Sequence, residues 1–119
     1  MTLENQKEFI LMMYTDLFQN TDVDKISTYC APDFKKDNNY DMTNYDEFVD
    51  HIKDLKSTNE KVRFDIEFII NVPGQILIRT LVYKASQIQG ASPISLLMSY
   101  WQFNDSGLID YCKEVESSS

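Results

Sequence analysis

The chain is poor in the residues that staple a fold, hold a metal or break a helix. Its 119 residues include two cysteines, one histidine, three glycines and three prolines. Cys30 and Cys112 lack Cys-x-x-Cys spacing, and with His51 as the single histidine no zinc site is legible. Both cysteines read as reduced core or near-core residues. No metal and no cofactor is expected. Scarce glycine rules out a Gly-rich phosphate loop, and no serine sits in a Gly-x-Ser-x-Gly elbow. Long apolar runs are missing too. Phe9–Tyr14 is too short to cross a bilayer. Glu4 and Glu8 precede it where a secretory signal would carry Lys or Arg, so the expected address is cytoplasmic. Positive charge is also thin, with 11 Lys and Arg against 19 Asp and Glu and a net charge of −8. Such a surface repels a phosphate backbone and an anionic bilayer, so neither nucleic acid nor membrane is an expected partner.

What remains suffices for one domain over residues 1–119. The chain is 43% hydrophobic and 13% aromatic, enough for a core at this length. Only the tail from Glu116 to Ser119 reads as disordered.

The first half has helical periods. Between Leu3 and Gln19, the residues Phe9, Ile10, Met13, Tyr14, Leu17 and Phe18 make one apolar stripe, and Gln6, Lys7, Thr15, Asp16 and Gln19 lie off it. A short second helix has Val23, Ile26, Tyr29 and Cys30 on its inner face. It stops at Pro32, because the residue before a proline is pushed out of the helical region. Residues Asp33 to Met42 read as polar and irregular. A third helix follows, with Thr43 and Asn44 as alternative caps and Asp46 or Glu47 three residues on. Its apolar face is Tyr45, Phe48, Val49, Ile52 and Leu55, with His51 at the edge.

From Lys61 the period becomes two. Val62, Phe64, Ile66, Phe68, Ile70 and Val72 form one face of a strand that turns at Pro73-Gly74. Gln75–Gln87 returns. Ile94–Asn104 is a third strand, apolar on both faces, and Asp105-Ser106-Gly107 turns it into a last strand, Leu108–Val115. The fold class is therefore α+β, with three helices in the N-terminal half and a mostly antiparallel sheet. A strand apolar on both faces needs cover on both. The helices cover one face, and a second copy of the chain is the expected cover for the other, giving a homodimer through the sheet.

Three stretches resemble the nuclear-transport-factor-2-like superfamily, and most closely its SnoaL-like branch of polyketide cyclase and ketosteroid isomerase relatives. They are Tyr29-Cys30-Ala31-Pro32-Asp33-Phe34, then Tyr45-Asp46-Glu47-Phe48-Val49-Asp50-His51-Ile52, then Trp101-Gln102-Phe103 with Leu108-Ile109 and Glu114. The resemblance spans about Glu4 to Glu116. It implies a cone, in which a curved sheet and helices enclose a pocket, and a short strand after the second helix. The chain departs from the pattern at Asp105-Ser106-Gly107-Leu108-Ile109, where Asp-Gly-Lys-Ile is usual. Asn38-Asn39-Tyr40-Asp41 also lacks the glycine often found there.

The resemblance also singles out residues. Asp37 falls near the place where ketosteroid isomerases keep a proton-shuttling aspartate. His51 resembles a histidine common at this point of the third helix, and its neutral form can act as a base near pH 7. Tyr14 matches a tyrosine that donates to an oxyanion. From strand parity, Glu114 shares a face with Cys112 and Asp110. If that face is inward, Glu114 is a buried acid within reach of His51. Trp101 reads as a pocket wall. Plainer readings stand beside each: a solvated loop acid, a boundary histidine, a core aromatic, an outward acid. The function expected is binding of a small apolar molecule. Cofactor-independent isomerisation or cyclisation by proton transfer would be its chemistry. The alternative is a non-catalytic interaction module whose cone is filled by Trp101, Phe103 and the methionines of the first helix.

Overall fold

A computed structural model describes residues 2–38, 41–58, 62–84 and 90–118. Helix α1 runs Leu3–Met13, capped by the Thr2 side chain, which accepts from the Asn5 amide. It continues without a break as a π-helical segment, Tyr14–Gln19. The wider turn sets Tyr14, Leu17 and Phe18 inward together. A 3₁₀ turn, Val23–Lys25, leads into α2, Ile26–Tyr29. The Tyr29 hydroxyl donates to the Asp16 carboxylate and so ties α2 to the π-helical turn.

The helix of the third apolar stripe, α3, spans Tyr45–Ser57. Of its two candidate caps, Asn44 is the one used. Its side chain accepts from the Glu47 amide at 2.9 Å, and the Glu47 carboxylate accepts from the Asn44 amide at 3.1 Å. This reciprocal pair satisfies two amides that a helix start leaves orphaned.

Six strands follow the spatial order β2-β1-β6-β5-β4-β3. They are β1 (Cys30–Asp37), β2 (Met42–Asn44), β3 (Val62–Val72), β4 (Gln75–Lys84), β5 (Ser95–Phe103) and β6 (Ile109–Ser118). Every pairing is antiparallel except β1 with β6, which is parallel. The returning strand thus ends at Lys84, and its expected extension to Gln87 lies outside the described residues. The segment from Asp33 is not irregular, because β1 occupies it. A polar strand pairing with residues some 76 positions away leaves no local apolar signature. Nor is the tail free from Glu116 on, since β6 pairs with β5 as far as Ser95 opposite Ser118.

The expected face of β3 is also corrected. A bulge lies between Ile66 and Phe68, with Glu67 the unpaired residue. One extra residue in a strand reverses the parity beyond it. Phe64 and Ile66 face the helices, whereas Phe68, Ile70 and Val72 are exposed on the other side at 39%, 52% and 44%. The outer face therefore carries these three with Leu77, Met98 and Val115.

The core lies between the helices and the inner face. Ile10, Met13 and Leu17 meet Ile76, Ile78 and Trp101 there, all fully buried. Gln6, off the apolar stripe, is nevertheless only 3% exposed. Its Nε2 donates to Asn71 Oδ1 at 2.7 Å and to the Val72 carbonyl at 2.8 Å, and its Oε1 accepts from the Gly74 amide at 2.9 Å. Gly74 itself holds φ at 78°, the left-handed region open to glycine. One amide side chain thus clasps the β3–β4 hairpin to α1.

Replacing Gln6 by alanine strands these hairpin groups at a partly buried site, which costs on the order of 2 kcal/mol. Urea denaturation of Gln6→Ala is expected to show a lower midpoint at an unchanged slope. An unchanged midpoint would show that water replaces the clasp.

Candidate functional site

Strand parity gathers a set of polar side chains on the inner face. Lys36 sits beside Cys112 in the parallel β1–β6 pairing, and Ser99 on β5 sits opposite Glu114 on β6. The Lys36 Nζ is 3.3 Å from Glu114 Oε1, with the two side chains 6% and 17% exposed. Ser99 Oγ donates to Glu114 Oε2 at 3.0 Å. The ammonium also lies 6.0 Å from the Phe18 ring centre and 5.9 Å from that of Phe48. Aromatic faces attract a cation at this distance.

Tyr14 closes the cluster from above. Trp101 Nε1 donates to its hydroxyl at 3.1 Å, and the two rings meet edge to face. Burial, reinforced by Cys112 and Glu114, holds the phenol well above its ordinary pKa of 10. Hydrogen bonds from Ser99 and Trp101 pull the other way and do not offset it. The phenol keeps its proton and remains a donor. Cys112, beneath Lys36, is raised by burial likewise, and Cys30 is pushed up to about 12. Both are free buried thiols with little thiolate character.

His51 lies on α3 at the rim, exposed as a residue while its ring is partly desolvated. That desolvation, then the Lys36 charge, lowers its pKa below 6.5, against the pull of Glu114 and Asp54. It is neutral at pH 7. His51 thus feels the charge of Glu114, whose carboxylate is itself bonded to Lys36 and Ser99.

Asp37 is not in this cluster. It follows Lys36 on β1, so its side chain takes the outer face. There its carboxylate accepts from Lys113 Nζ at 3.1 Å and from the Tyr111 hydroxyl at 3.4 Å. The residues that sequence reasoning missed are Lys36 and Ser99. Phe34 and Lys36 alternate with Lys35 and Asp37, a period-two signal hidden in a polar stretch. Ser95 and Ser99 share a face with Leu97 and Trp101, but the strand's overall apolarity masked them.

A cleft of about 670 Å³ lies elsewhere, bounded by Cys30, Phe34, Asn44 and Tyr45 among others. None of its lining residues belongs to the polar cluster. Among the described residues no group of three or more His, Cys, Asp or Glu could hold a metal ion. No helix among them is long and apolar enough to cross a membrane.

The architecture is the α+β cone of nuclear-transport-factor-2-like proteins, and its neighbours among solved structures include the SnoaL-like branch. One neighbour, ascribed to the SnoaL-like family as an isomerase, comes from Agrobacterium tumefaciens. It has a TM-score of 0.76 at 10% identity, over 96% of this chain and 99% of its own. Another is IdmH from Streptomyces antibioticus, ascribed a polyketide cyclase role, with a TM-score of 0.72 at 11% identity over 94% and 91%. A third is an NTF2-like protein of unknown function from Cytophaga hutchinsonii, with a TM-score of 0.71 at 4% identity over 94% and 89%. No family model and no curated protein matches the sequence. Likeness at these identities defines the fold.

The electrostatics can be checked directly. Because the folded pKa of His51 is depressed, the unfolded chain binds its proton first as pH falls. Its stabilising share is complete above about pH 6.5 and fades below it. An NMR titration of the ring is expected to give a midpoint below 6.5, moving up in Lys36→Met and down in Glu114→Gln. A midpoint indifferent to both variants would separate His51 from the cluster.

Proposed function

We propose that the inner face of the sheet binds a small, mostly apolar molecule, with an oxygen-bearing end directed at the Lys36–Glu114 pair. We propose further that the protein moves a proton on that molecule without a cofactor, as in an isomerisation or an aldol-type cyclisation. The observation that carries this reading is the buried ion pair. Two charges among Phe18, Phe48 and Trp101 do nothing for stability that apolar side chains of similar volume would not do as well. A pair held at that cost supports a use for its charge other than stability.

The geometry supports a role for each residue. His51, neutral at pH 7 and at the rim, is the base. Tyr14 is a donor whose proton is retained, and with the Lys36 ammonium it meets the oxygen on which negative charge develops. Glu114 holds Lys36 in place and balances its charge. Trp101 is the wall behind Tyr14. Asp37, turned to the outer face and held by Lys113 and Tyr111, has no part in this scheme. The descriptions of the Agrobacterium and Streptomyces neighbours as isomerase and cyclase support the reaction class. A second copy of the chain covers the exposed apolar residues of the outer face.

The rival reading is a non-catalytic module. The packing of the base of the cone favours it, because Met13 and Trp101 are fully buried there. A thermal-shift series with small apolar ketones decides between them. A ligand at about 100 times its Kd adds roughly 2.7 kcal/mol, a shift of several degrees. The double variant Lys36→Met/Glu114→Leu is expected to melt at or above the wild-type temperature and to lose that shift. No shift in wild type across the series would favour the module.

Light scattering on the purified chain is expected to give the mass of two copies, and Ile70→Glu the mass of one. A monomeric wild type would leave the outer face without its proposed cover.

A further inference from the structure

The inner face holds a second polar feature that the ion pair does not explain. Thr80 on β4 and Ser95 on β5 are 0% and 8% exposed. Among the described residues, their hydroxyls are the buried side-chain oxygens left without a hydrogen-bond partner. Lys36, Glu114, Ser99, Tyr14 and Trp101 on the same face each have a polar partner. A buried hydroxyl without a partner destabilises the fold, and valine or alanine would fill either place without that penalty.

The two hydroxyls are also placed together. Thr80 lies opposite Leu97, and Ser95 lies opposite Val82. Thr80 is therefore the diagonal neighbour of both Ser95 and Ser99 on the same face, roughly 7 Å from each. Ser95 and Ser99 stand about 13 Å apart along β5. A line runs from the Lys36–Glu114–Ser99 cluster, past Leu97, to Thr80 and Ser95. Thr80 stands midway on it, across from Leu97, and Ser95 marks its far end.

We infer that the ligand of this face is elongate and carries oxygen functions at both ends, the far one a hydroxyl or carbonyl read by Thr80 and Ser95. Both side chains can donate and accept, so either oxygen chemistry satisfies them. The inference rests on the inner face being a ligand site, and it adds the length and far-end chemistry of what binds there.

The test compares benzylacetone, which has a carbonyl at one end only, with its para-hydroxy analogue. Dissociation constants are measured by calorimetry for wild type, Thr80→Val and Ser95→Ala. Wild type is expected to prefer the hydroxylated analogue roughly three- to tenfold, the worth of one neutral hydrogen bond. Thr80→Val or Ser95→Ala is expected to erase the preference and leave benzylacetone binding unchanged. Thr80→Val should also melt no lower than wild type, since it removes an unpartnered hydroxyl. Equal binding of the two analogues to wild type, or a preference that survives both variants, overturns the inference and spares the ligand site. A clear loss of melting temperature in Thr80→Val overturns it too, because the hydroxyl would then be a structural one. Failure of both analogues to bind wild type overturns the inference together with the ligand site.

Discussion

An ammonium and a carboxylate held out of water on two adjacent parallel strands set the terms for the rest of this molecule. Lys36 and Glu114 meet only because β1 lies alongside β6 in one register. A slip of one residue would send Lys36 to the outer face and bring Lys35 or Asp37 inward. The aromatic rings of Phe18 and Phe48, the Ser99 hydroxyl and the Tyr14 phenol are all arranged around this pair. Their placement follows from different elements: a π-helical turn, a capped helix and an antiparallel strand. What they share is the requirement that two buried charges keep polar or aromatic company.

Two irregularities, a π-helical segment and a one-residue bulge, shape the surfaces on either side of the sheet. The π-helical stretch Tyr14–Gln19 presents Tyr14 and Phe18 to the polar cluster from one turn. Such π-helical stretches recur at functional sites. The bulge at Glu67 does the reverse for β3, turning Phe68, Ile70 and Val72 away from the core. The same strand thus serves the interior at one end and the outer face at the other. Arg79 pairs with Glu67 at 3.2 Å and lies beside the bulge it helps to hold.

Much of the fold was legible in the sequence because its signals are local. The stripe from Phe9 to Phe18, the Asn44–Glu47 cap and the Pro73-Gly74 turn each depend on residues within a few positions of one another. The strands β3 to β6 announce themselves by the change of period at Lys61 and by the turn residues between them. The site was less legible, and for a physical reason. Lys36 and Ser99 acquire their meaning from partners 78 and 15 positions away, and from facing inward on strands whose mean polarity points elsewhere. Asp37 drew notice as an acid at the expected distance from α2. Which face it takes depends on one residue of parity, and composition is blind to that. Glu114 was readable from Cys112 two residues before it, but not from Asp110, because an irregularity in the β5–β6 pairing breaks the parity there and Asp110 accepts from Gln102 on the outer side.

The clasp made by Gln6 bears on how the chain is assembled. Its partners Asn71, Val72 and Gln75 come 65 to 69 residues later. Closing so long a loop is slow compared with forming a helical turn. While the chain grows from its N-terminus, α1 has no hairpin to grip, and its apolar stripe faces water until β3 and β4 have emerged. Net negative charge, with Glu4 and Glu8 on α1 itself, discourages that exposed stripe from meeting another copy. The same negative charge that repels a phosphate backbone in the finished protein thus also repels one nascent copy from another.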